Sequence, residues 1–317
     1  MRSTFRWPAI AAVVTYLLIF TGGLVRVSGA GLGCPDWPQC FGRWIPPTSI
    51  SQLPSDVDPS RFNFTLAWIE YLNRLFGMFT GLIILIAAIL AIKHFARVTR
   101  IVLPSVLAAL LVAYTGWQGG RVVESELEST LVSVHALFAI LIAALLLYAA
   151  QQIHYALNPT AESGRTYPAK SGLWLRILLM AAIVQAALGT NMRSTIEAFT
   201  QANPLAEGVA WLKYSGVLNH LHLLLGVLIV LKGLFWAVRL LQRSENPSAP
   251  LWQSAWGMLI LLIAQGLLGV LVFLGPSPLW QVLHLWCAAL IIGVFLLSYG
   301  VVKRASKSPT TSAGGSL

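Results

Sequence analysis

Charged residues are scarce in this sequence. Only 10% of its 317 residues are Asp, Glu, Lys or Arg, against about 25% in a soluble globular domain. Acidic residues are fewer than basic ones, with 11 Asp and Glu against 21 Lys and Arg. Hydrophobic residues make up 57% of the chain, in recurring runs of about 20 residues, the length that crosses a bilayer as a helix. This composition excludes a large water-soluble domain and indicates a polytopic α-helical membrane protein.

Hydropathy predicts eight membrane-spanning helices. The first apolar run follows Arg2 and Arg6 but lacks a convincing small-residue cleavage site, so we expect it to stay in the protein as the first span rather than to be removed as a signal peptide. The predicted spans are residues 8–27, 64–92, 101–120, 131–153, 172–190, 214–238, 252–274 and 279–302. Residues 191–213 are expected to form the outer loop between spans five and six.

The net charge of +10 is divided unevenly between the two sides of the predicted helices. Lys and Arg gather near both termini and after spans two, four and six, whereas most acids lie in the opposite loops. The positive-inside rule places the basic side in the cytoplasm. We therefore expect a multi-pass protein of a bacterial cytoplasmic membrane with both termini cytoplasmic. The basic charge then reflects topology and contact with membrane lipid, and we expect no nucleic-acid partner.

Residues repeat between the two halves of the chain at nearly constant offsets. Two matches in different span pairs share an offset of 149 residues, and two further matches differ by 147 and 167 residues. The matches are His135 with His284, Asn73-x-x-x-Gly77 with His222-x-x-x-Gly226, Gln118-Gly119 with Gln265-Gly266, and Gly22-x-x-x-Arg26 with Gly189-x-x-x-Arg193. Such agreement is hard to obtain by chance. The sequence therefore predicts an all-α membrane protein of two homologous four-helix bundles, related by a pseudo-two-fold axis along the membrane normal.

The predicted domain organisation follows from this duplication. Residues 1–157 form the N-terminal bundle and residues 172–305 the C-terminal bundle. Residues 158–171, which contain Ser, Gly and Pro, form a cytoplasmic linker, and residues 306–317 are expected to be a disordered tail.

Four histidines share one depth in the predicted bundles. His135, His220, His222 and His284 each lie in the first turns of a span that starts from the outer, non-cytoplasmic side, and His220, two positions before His222, faces elsewhere and is expected to be structural. Neutral imidazole is a natural axial ligand of haem iron, and a four-helix bundle directs ligands from facing helices across its core. Helix-end histidines with local hydrogen bonds are the alternative, which the repeat disfavours. We predict that His222 and His284 are the two iron ligands of a haem in the second bundle.

The first bundle differs from the second at one ligand position. Asn73 stands where the second bundle has His222, so a haem here has His135 on one face and an open or weakly occupied position on the other, which favours chemistry over electron storage. Glu70 lies three residues before Asn73 on the same helix face. A carboxylate at membrane depth is by default a functional candidate. Two hypotheses stay open for Glu70: a catalytic group, and a structural ion pair with Arg74.

Two cysteines lie close together in the first outer loop. Cys34 and Cys40 bracket the segment Cys-Pro-Asp-Trp-Pro-Gln-Cys. On the oxidising side of a bacterial membrane, cysteines this close are expected to form a disulfide. A redox-active pair and a structural staple are both compatible with the sequence.

Two arginines lie at outer helix ends in matching positions. Arg26 ends span one and Arg193 follows span five. Guanidinium groups at this depth are suited to receive haem propionates. A role as interfacial anchors is an equal alternative.

In these motifs the chain resembles the heme A synthase family over nearly its whole length. The family pattern is matched by Gly22 to Arg26, by the loop from Gly31 to Cys40, by Glu70 to Arg74, and by the histidines that open spans four, six and eight. The resemblance implies eight spans, oxidation of the C8 methyl group of heme O to a formyl group, a haem b in the second bundle, and a position for Glu70 near the substrate methyl. Members commonly have His where this chain has Asn73, which puts a second protein ligand to the substrate in doubt.

The leading hypothesis is therefore an oxidoreductase that converts heme O to heme A by successive hydroxylations for cytochrome oxidase biogenesis. His135 binds the substrate, Glu70 assists proton transfer, and the haem b on His222 and His284 relays electrons. Expected partners are heme O synthase and cytochrome oxidase assembly components, and a homo-oligomer is compatible with the sequence. The alternatives are a non-catalytic dihaem b-type cytochrome and a haem carrier or assembly factor.

Overall fold

The computed structural model describes residues 6–203, 216–275 and 277–306, except the side chains of residues 191, 193–198, 200 and 201. Within these residues the fold is built from helices, with no strand. The eight long helices are α1 (Arg6–Val27), α2 (Phe64–Phe95), α3 (Thr99–Glu124), α4 (Ser129–Leu157), α5 (Ser171–Ala202), α6 (Val217–Arg243), α7 (Ala249–Leu274) and α8 (Pro278–Ala305). All eight are long and apolar enough to cross a membrane. The prediction of an eight-span, all-α membrane protein is confirmed.

Several helices begin at residues whose side chains accept hydrogen bonds from the first turn. Asn63 Oδ1 accepts from the backbone N–H of Leu66 at the start of α2. At the start of α4, the carboxylate of Glu128 accepts from the N–H groups of Thr130 and Leu131. These two bonds hold the pKa of the exposed Glu128 carboxyl below its usual value. Such N-caps satisfy donors that a helix leaves unpaired, and they position the first turns in which His135 lies.

Helix α5 is longer than its predicted span. Its apolar part, Ser171–Thr190, agrees with the expectation, but the helix continues to Ala202 where the sequence had been expected to form a loop. Residues 191–202 contain no Gly or Pro, so nothing in their backbone chemistry stops the helix where the apolar run ends. The loop prediction for these residues is wrong.

Helices close in sequence pack around one another in two groups. Helices α1 and α3 each contact α2 and α4, and in the second half α6 and α8 each contact α5 and α7. Helix α8 also packs against α1 and α4, where Trp286 Nε1 donates to the carbonyl of Tyr16 at 2.9 Å and Gln151 Nε2 donates to the carbonyl of Leu297 at 2.8 Å. The duplication axis and the domain bounds stay predictions.

The segment that joins the two halves is docked onto the protein. The N–H of Glu245, in the α6–α7 loop, donates to the carbonyl of Thr166 at 3.1 Å. Tyr167 donates to the buried carboxylate of Glu162 at 2.5 Å, and burial together with this bond raises the pKa of Tyr167 to about 12. The predicted disordered tail falls almost entirely on residues 307–317, which lie outside the described residues.

Candidate functional site

A large cavity lies among the helices, and all eight helices contribute to its walls. Its volume is about 1650 Å³, well above the roughly 300–1,000 Å³ of an ordinary ligand pocket. Glu70, Asn73 and His135 line its part in the first half of the chain, and His222 and His284 line its part in the second half. The structure thus brings these five predicted site residues to one cavity, which has room for more than one large ligand.

The imidazoles of His222 and His284 face each other in the second half. Their ring centroids are 6.5 Å apart and their planes are inclined by 65°. Bonds from histidine nitrogen to a metal are about 2 Å long, so two nitrogens on opposite sides of one metal lie about 4 Å apart. The ring separation is compatible with that span. The facing pair therefore fits two axial ligands of one iron.

Polar neighbours contact one nitrogen of each imidazole in this pair. His222 Nδ1 lies 3.2 Å from the carbonyl oxygen of Gln185. If Nδ1 carries the proton, it donates to this carbonyl, and the lone pair of the imidazole is then on Nε2. Metal-bound histidines commonly have such a hydrogen-bond acceptor at the nitrogen that does not bind the metal. His284 Nδ1 is buried without a partner, and its Nε2 contacts the amide nitrogen of Gln265 at 3.1 Å. This buried, incompletely satisfied pair fits a group that is added to the chain.

A glycine lies against each of the three imidazoles. A Cβ atom on Gly189 would come within 2.9 Å of His222 Cε1, and one on Gly269 within 3.3 Å of His284 Cε1. In the first half, a Cβ on Gly119 would lie 3.6 Å from His135 Cε1. A side chain at Gly189 would force the His222 imidazole to move, and one at Gly269 would press on the His284 imidazole.

In the first half, a single histidine lines the cavity among the described residues. The Nδ1 atom of His135 is buried without a hydrogen-bond partner. Across α1 and α2, Thr21 Oγ1 donates to Asn73 Oδ1 at 3.0 Å, so the amide that replaces the second histidine is held by a neighbour. The two halves therefore offer different donor sets, one imidazole in the first and two in the second.

Glu70 is joined to the disulfide loop as well as to Arg74. Its side chain lies at the cavity wall in a residue that is only 5% exposed. Oε2 accepts from the N–H of Cys34 at 2.8 Å, and Oε1 accepts from Arg74 Nη2 at 2.5 Å. The predicted disulfide between Cys34 and Cys40 is present. The ion pair that was one of two hypotheses for Glu70 is thus formed, and it coexists with a position on the cavity.

Arg74 fastens the same loop over the first half of the cavity. Its Nη1 atom donates to the carbonyls of Asp36 and Gln39 at 2.9 and 2.8 Å. Trp37 lines the cavity and packs on Gly120, where a Cβ would lie 2.8 Å from Trp37 Cδ2. The segment between the two cysteines therefore covers this end of the cavity.

The structure describes the side chain of only one of the two arginines that are predicted to contact propionates. Arg26 lines the cavity at the end of α1. Arg193 belongs to α5, but its side chain lies outside the described part of the structure. Both propionate roles stay predictions.

The donor set suits a haem better than a bare metal ion. Among residues 6–203, 216–275 and 277–306, no group of three or more His, Cys, Asp or Glu is placed to hold a metal ion. A porphyrin supplies the equatorial nitrogens itself, so the protein needs to add only one or two axial ligands. One imidazole in the first half and two in the second meet that requirement.

Some residues of this site are not evident from sequence patterns. Gln185 contacts His222 through its backbone carbonyl, an atom that every residue has. Gly269 lies four residues after Gln265 and outside every repeated motif. In the sequence, such residues can be noticed only as a polar or very small residue within an apolar run. Because many spans contain such residues, this pattern does not identify a site.

The chain is similar in sequence to proteins of one family over most of its length. A family model described as Cytochrome oxidase assembly protein matches residues 5–296. A heme A synthase from Shewanella oneidensis is 32% identical over 149 residues, which cover 44% of this chain and 43% of that protein. Heme A synthases from Wolbachia sp. subsp. Brugia malayi and Bacillus cereus are each 29% identical, over 169 and 136 residues. Those matches cover 46% and 43% of this chain and 50% and 39% of the two relatives. The matched part spans half or less of each relative.

Proposed function

The chain belongs to the cytochrome oxidase assembly protein family, and on that premise we propose that it is a heme A synthase. The proposed reaction oxidises the C8 methyl group of heme O to a formyl group by successive hydroxylations. One observation carries the proposal: a single cavity joins a one-imidazole site beside a carboxylate to a two-imidazole site. This asymmetry suits one site that binds a substrate and one that binds a resident haem.

His222 and His284 hold the resident haem b of the second half in this proposal. When bound, haem b supplies a one-electron redox centre beside the substrate. The carbonyl of Gln185 keeps the proton of His222 on Nδ1 and so fixes its tautomer and ring orientation. Gly189 and Gly269 leave the space in which the two rings face each other.

His135 binds the heme O substrate in the first half, and Asn73 leaves its other face without a second imidazole. The loop that Arg74 fastens covers this part of the cavity and limits access of water. Arg26 and Arg193 receive propionates at the outer helix ends.

Glu70 holds or moves a proton at the cavity wall. Its Oε1 and Oε2 atoms already bind Arg74 and the Cys34 N–H, so the carboxylate is positioned before any substrate binds. Proton transfer by a positioned side chain contributes about 10²–10⁴-fold to a rate.

The proposed setting is a bacterial cytoplasmic membrane, with both termini in the cytoplasm. Heme O synthase supplies the substrate there, and the assembly components of cytochrome oxidase receive the product. The non-catalytic dihaem cytochrome is not favoured, because the first half presents one cavity-lining histidine among the described residues.

The direct test is expression of the chain in cells that make heme O but not heme A, followed by chromatography of the extracted haems. Appearance of heme A or its hydroxylated intermediate is expected for the natural chain and not for His135→Ala. If cells that express the natural chain contain only heme O, the proposal is contradicted, and the dihaem cytochrome and the haem carrier become the favoured alternatives.

A further inference from the structure

We propose that a slot between α2 and α3 holds the isoprenoid tail of heme O and thereby determines which half of the cavity accepts the substrate. The inference rests on the proposed function and deepens it. Heme O differs from haem b by a long isoprenoid chain on the ring. A protein that binds both macrocycles must therefore accommodate that chain in one site and reject it from the other.

The cavity extends further along α2 and α3 than along the matching helices of the second half. Its lining residues span positions 70–85 on α2 and 109–123 on α3, which correspond to about 22 and 21 Å at 1.5 Å per residue. On α6 and α7 they span positions 222–231 and 262–273, or about 14 and 17 Å. The first half therefore has an additional, deeper compartment next to α2 and α3.

Three glycines line the cavity on α2 and α3 next to this compartment, and we call the space that they border, together with the compartment, the α2–α3 slot. Gly77 and Gly81 on α2 and Gly116 on α3 all line the cavity, and a Cβ added to any of them would meet no atom within 4 Å. Met78, beside them on the cavity wall, is 67% exposed. The slot is thus open sideways, towards the lipid that surrounds a membrane-spanning helix.

The cytoplasmic end of the slot is closed by tight packing. Ile84, Ala87 and Ala108 are buried in one apolar cluster where α2 and α3 approach each other. Small alanine side chains allow that close approach. A ligand in the slot therefore rests against an apolar floor and leaves towards the bilayer.

In the second half, larger residues stand at the positions that repeat two of these glycines. Val230 matches Gly81 at the offset of 149 residues, and Ile263 matches Gly116 at the offset of 147 residues. Gly226, which matches Gly77, is filled from the side, since a Cβ there would lie 2.9 Å from Gln185 Nε2. A macrocycle with a long tail fits the first half, and one without fits the second.

The slot selects heme O by its shape rather than by a favourable hydrophobic free energy of binding the tail. Lipid chains are about as apolar as leucine side chains, so moving the tail from lipid into the slot releases little hydrophobic free energy. When the ring binds at His135, however, the tail needs a path that does not collide with the helices. Exclusion of a misfit ligand is an effective source of specificity.

The test fills the slot with Gly81→Trp and compares it with Leu82→Trp. Leu82 is the next residue on α2, is 54% exposed and does not line the cavity. Detergent-solubilised protein with haem b in the second half is titrated with heme O or with additional haem b, and absorption reports binding at His135. We expect Gly81→Trp to weaken heme O binding about tenfold or more while haem b binding changes less than about threefold, because only the tail is blocked. Leu82→Trp should change neither.

Two results would overturn the slot. If Gly81→Trp binds heme O with unchanged affinity, the tail lies elsewhere and lipid chains occupy the slot. If the affinities for heme O and haem b fall equally, the slot holds the ring rather than the tail. The absorption of the haem b in the second half reports that the variant is folded. If Gly81→Trp lacks this absorption, Gly116→Trp fills the slot from α3 instead, with the same expected outcome. A natural chain that neither binds nor oxidises heme O contradicts the proposed function instead.

Discussion

The carboxylate of Glu70 accepts a hydrogen bond from the backbone N–H of Cys34, with 2.8 Å between Oε2 and N. Glu70 belongs to a membrane-spanning helix and Cys34 to the disulfide loop outside it. Because Arg74 binds both the carboxylate and carbonyls of the loop, the acid, the arginine and the loop form one hydrogen-bonded unit at the first half of the cavity.

Replacement of Glu70 by Gln tests its proposed role in proton transfer. The amide keeps the size of the side chain but cannot take up a proton, so conversion of heme O should fall by about 10²–10⁴-fold. The spectrum of the haem in the second half should stay unchanged. Glu124→Gln, which removes an exposed acid paired with Arg121, is the matched control and should retain activity. Full activity in Glu70→Gln removes the carboxylate from the mechanism.

Loss of the Arg74 side chain should release the disulfide loop. Cys34 and Cys40 are 0% and 1% exposed, so reagents reach the disulfide only after the loop opens locally. In Arg74→Leu we expect reduction by a water-soluble reductant to accelerate by about tenfold or more, because the opening costs less free energy. Alkylation followed by mass spectrometry measures the rate. Arg121→Leu removes an exposed arginine elsewhere and should leave the rate unchanged, and an unchanged rate in Arg74→Leu contradicts the anchoring role.

A methyl group at Gly189 should disturb the second haem. The added Cβ would lie 2.9 Å from His222 Cε1, closer than ordinary van der Waals contact, so the imidazole must move. We expect Gly189→Ala to lower haem b occupancy and to alter the absorption of the bound haem. Gly257→Ala adds a methyl 3.8 Å from Val294 Cγ2, away from the cavity wall, and should bind haem normally. Equal haem content in the two variants would show that the imidazole tolerates displacement.

The N-cap of α4 should make stability depend on pH. Hydrogen bonds from Thr130 and Leu131 lower the pKa of Glu128 in the folded protein. Its stabilisation is therefore present above the pKa of the unfolded chain and is lost as the pH falls through the lower folded pKa. Glu128→Gln should have a lower melting temperature than the natural chain at pH 7, and the difference should shrink in acid. A difference that does not depend on pH contradicts this assignment.

The sequence predicts the spans well because apolar length is a local property. It fails at residues 191–202, since the end of an apolar run does not by itself end a helix. The repeat predicts one depth for His135, His222 and His284 but not that a single cavity joins them, because that cavity depends on how the two halves pack together. It does not reveal that Arg74 binds the disulfide loop, since such contacts depend on how a loop folds back over the helices.

The most direct test of the account asks whether His222 and His284 bind the same iron. Electron paramagnetic resonance of the purified, oxidised protein should show a low-spin haem signal typical of two imidazole ligands. The account predicts that this signal is lost in His222→Ala and in His284→Ala and is retained in His135→Ala. Retention of the signal in His284→Ala, or its loss in His135→Ala, would contradict the assignment of the two sites.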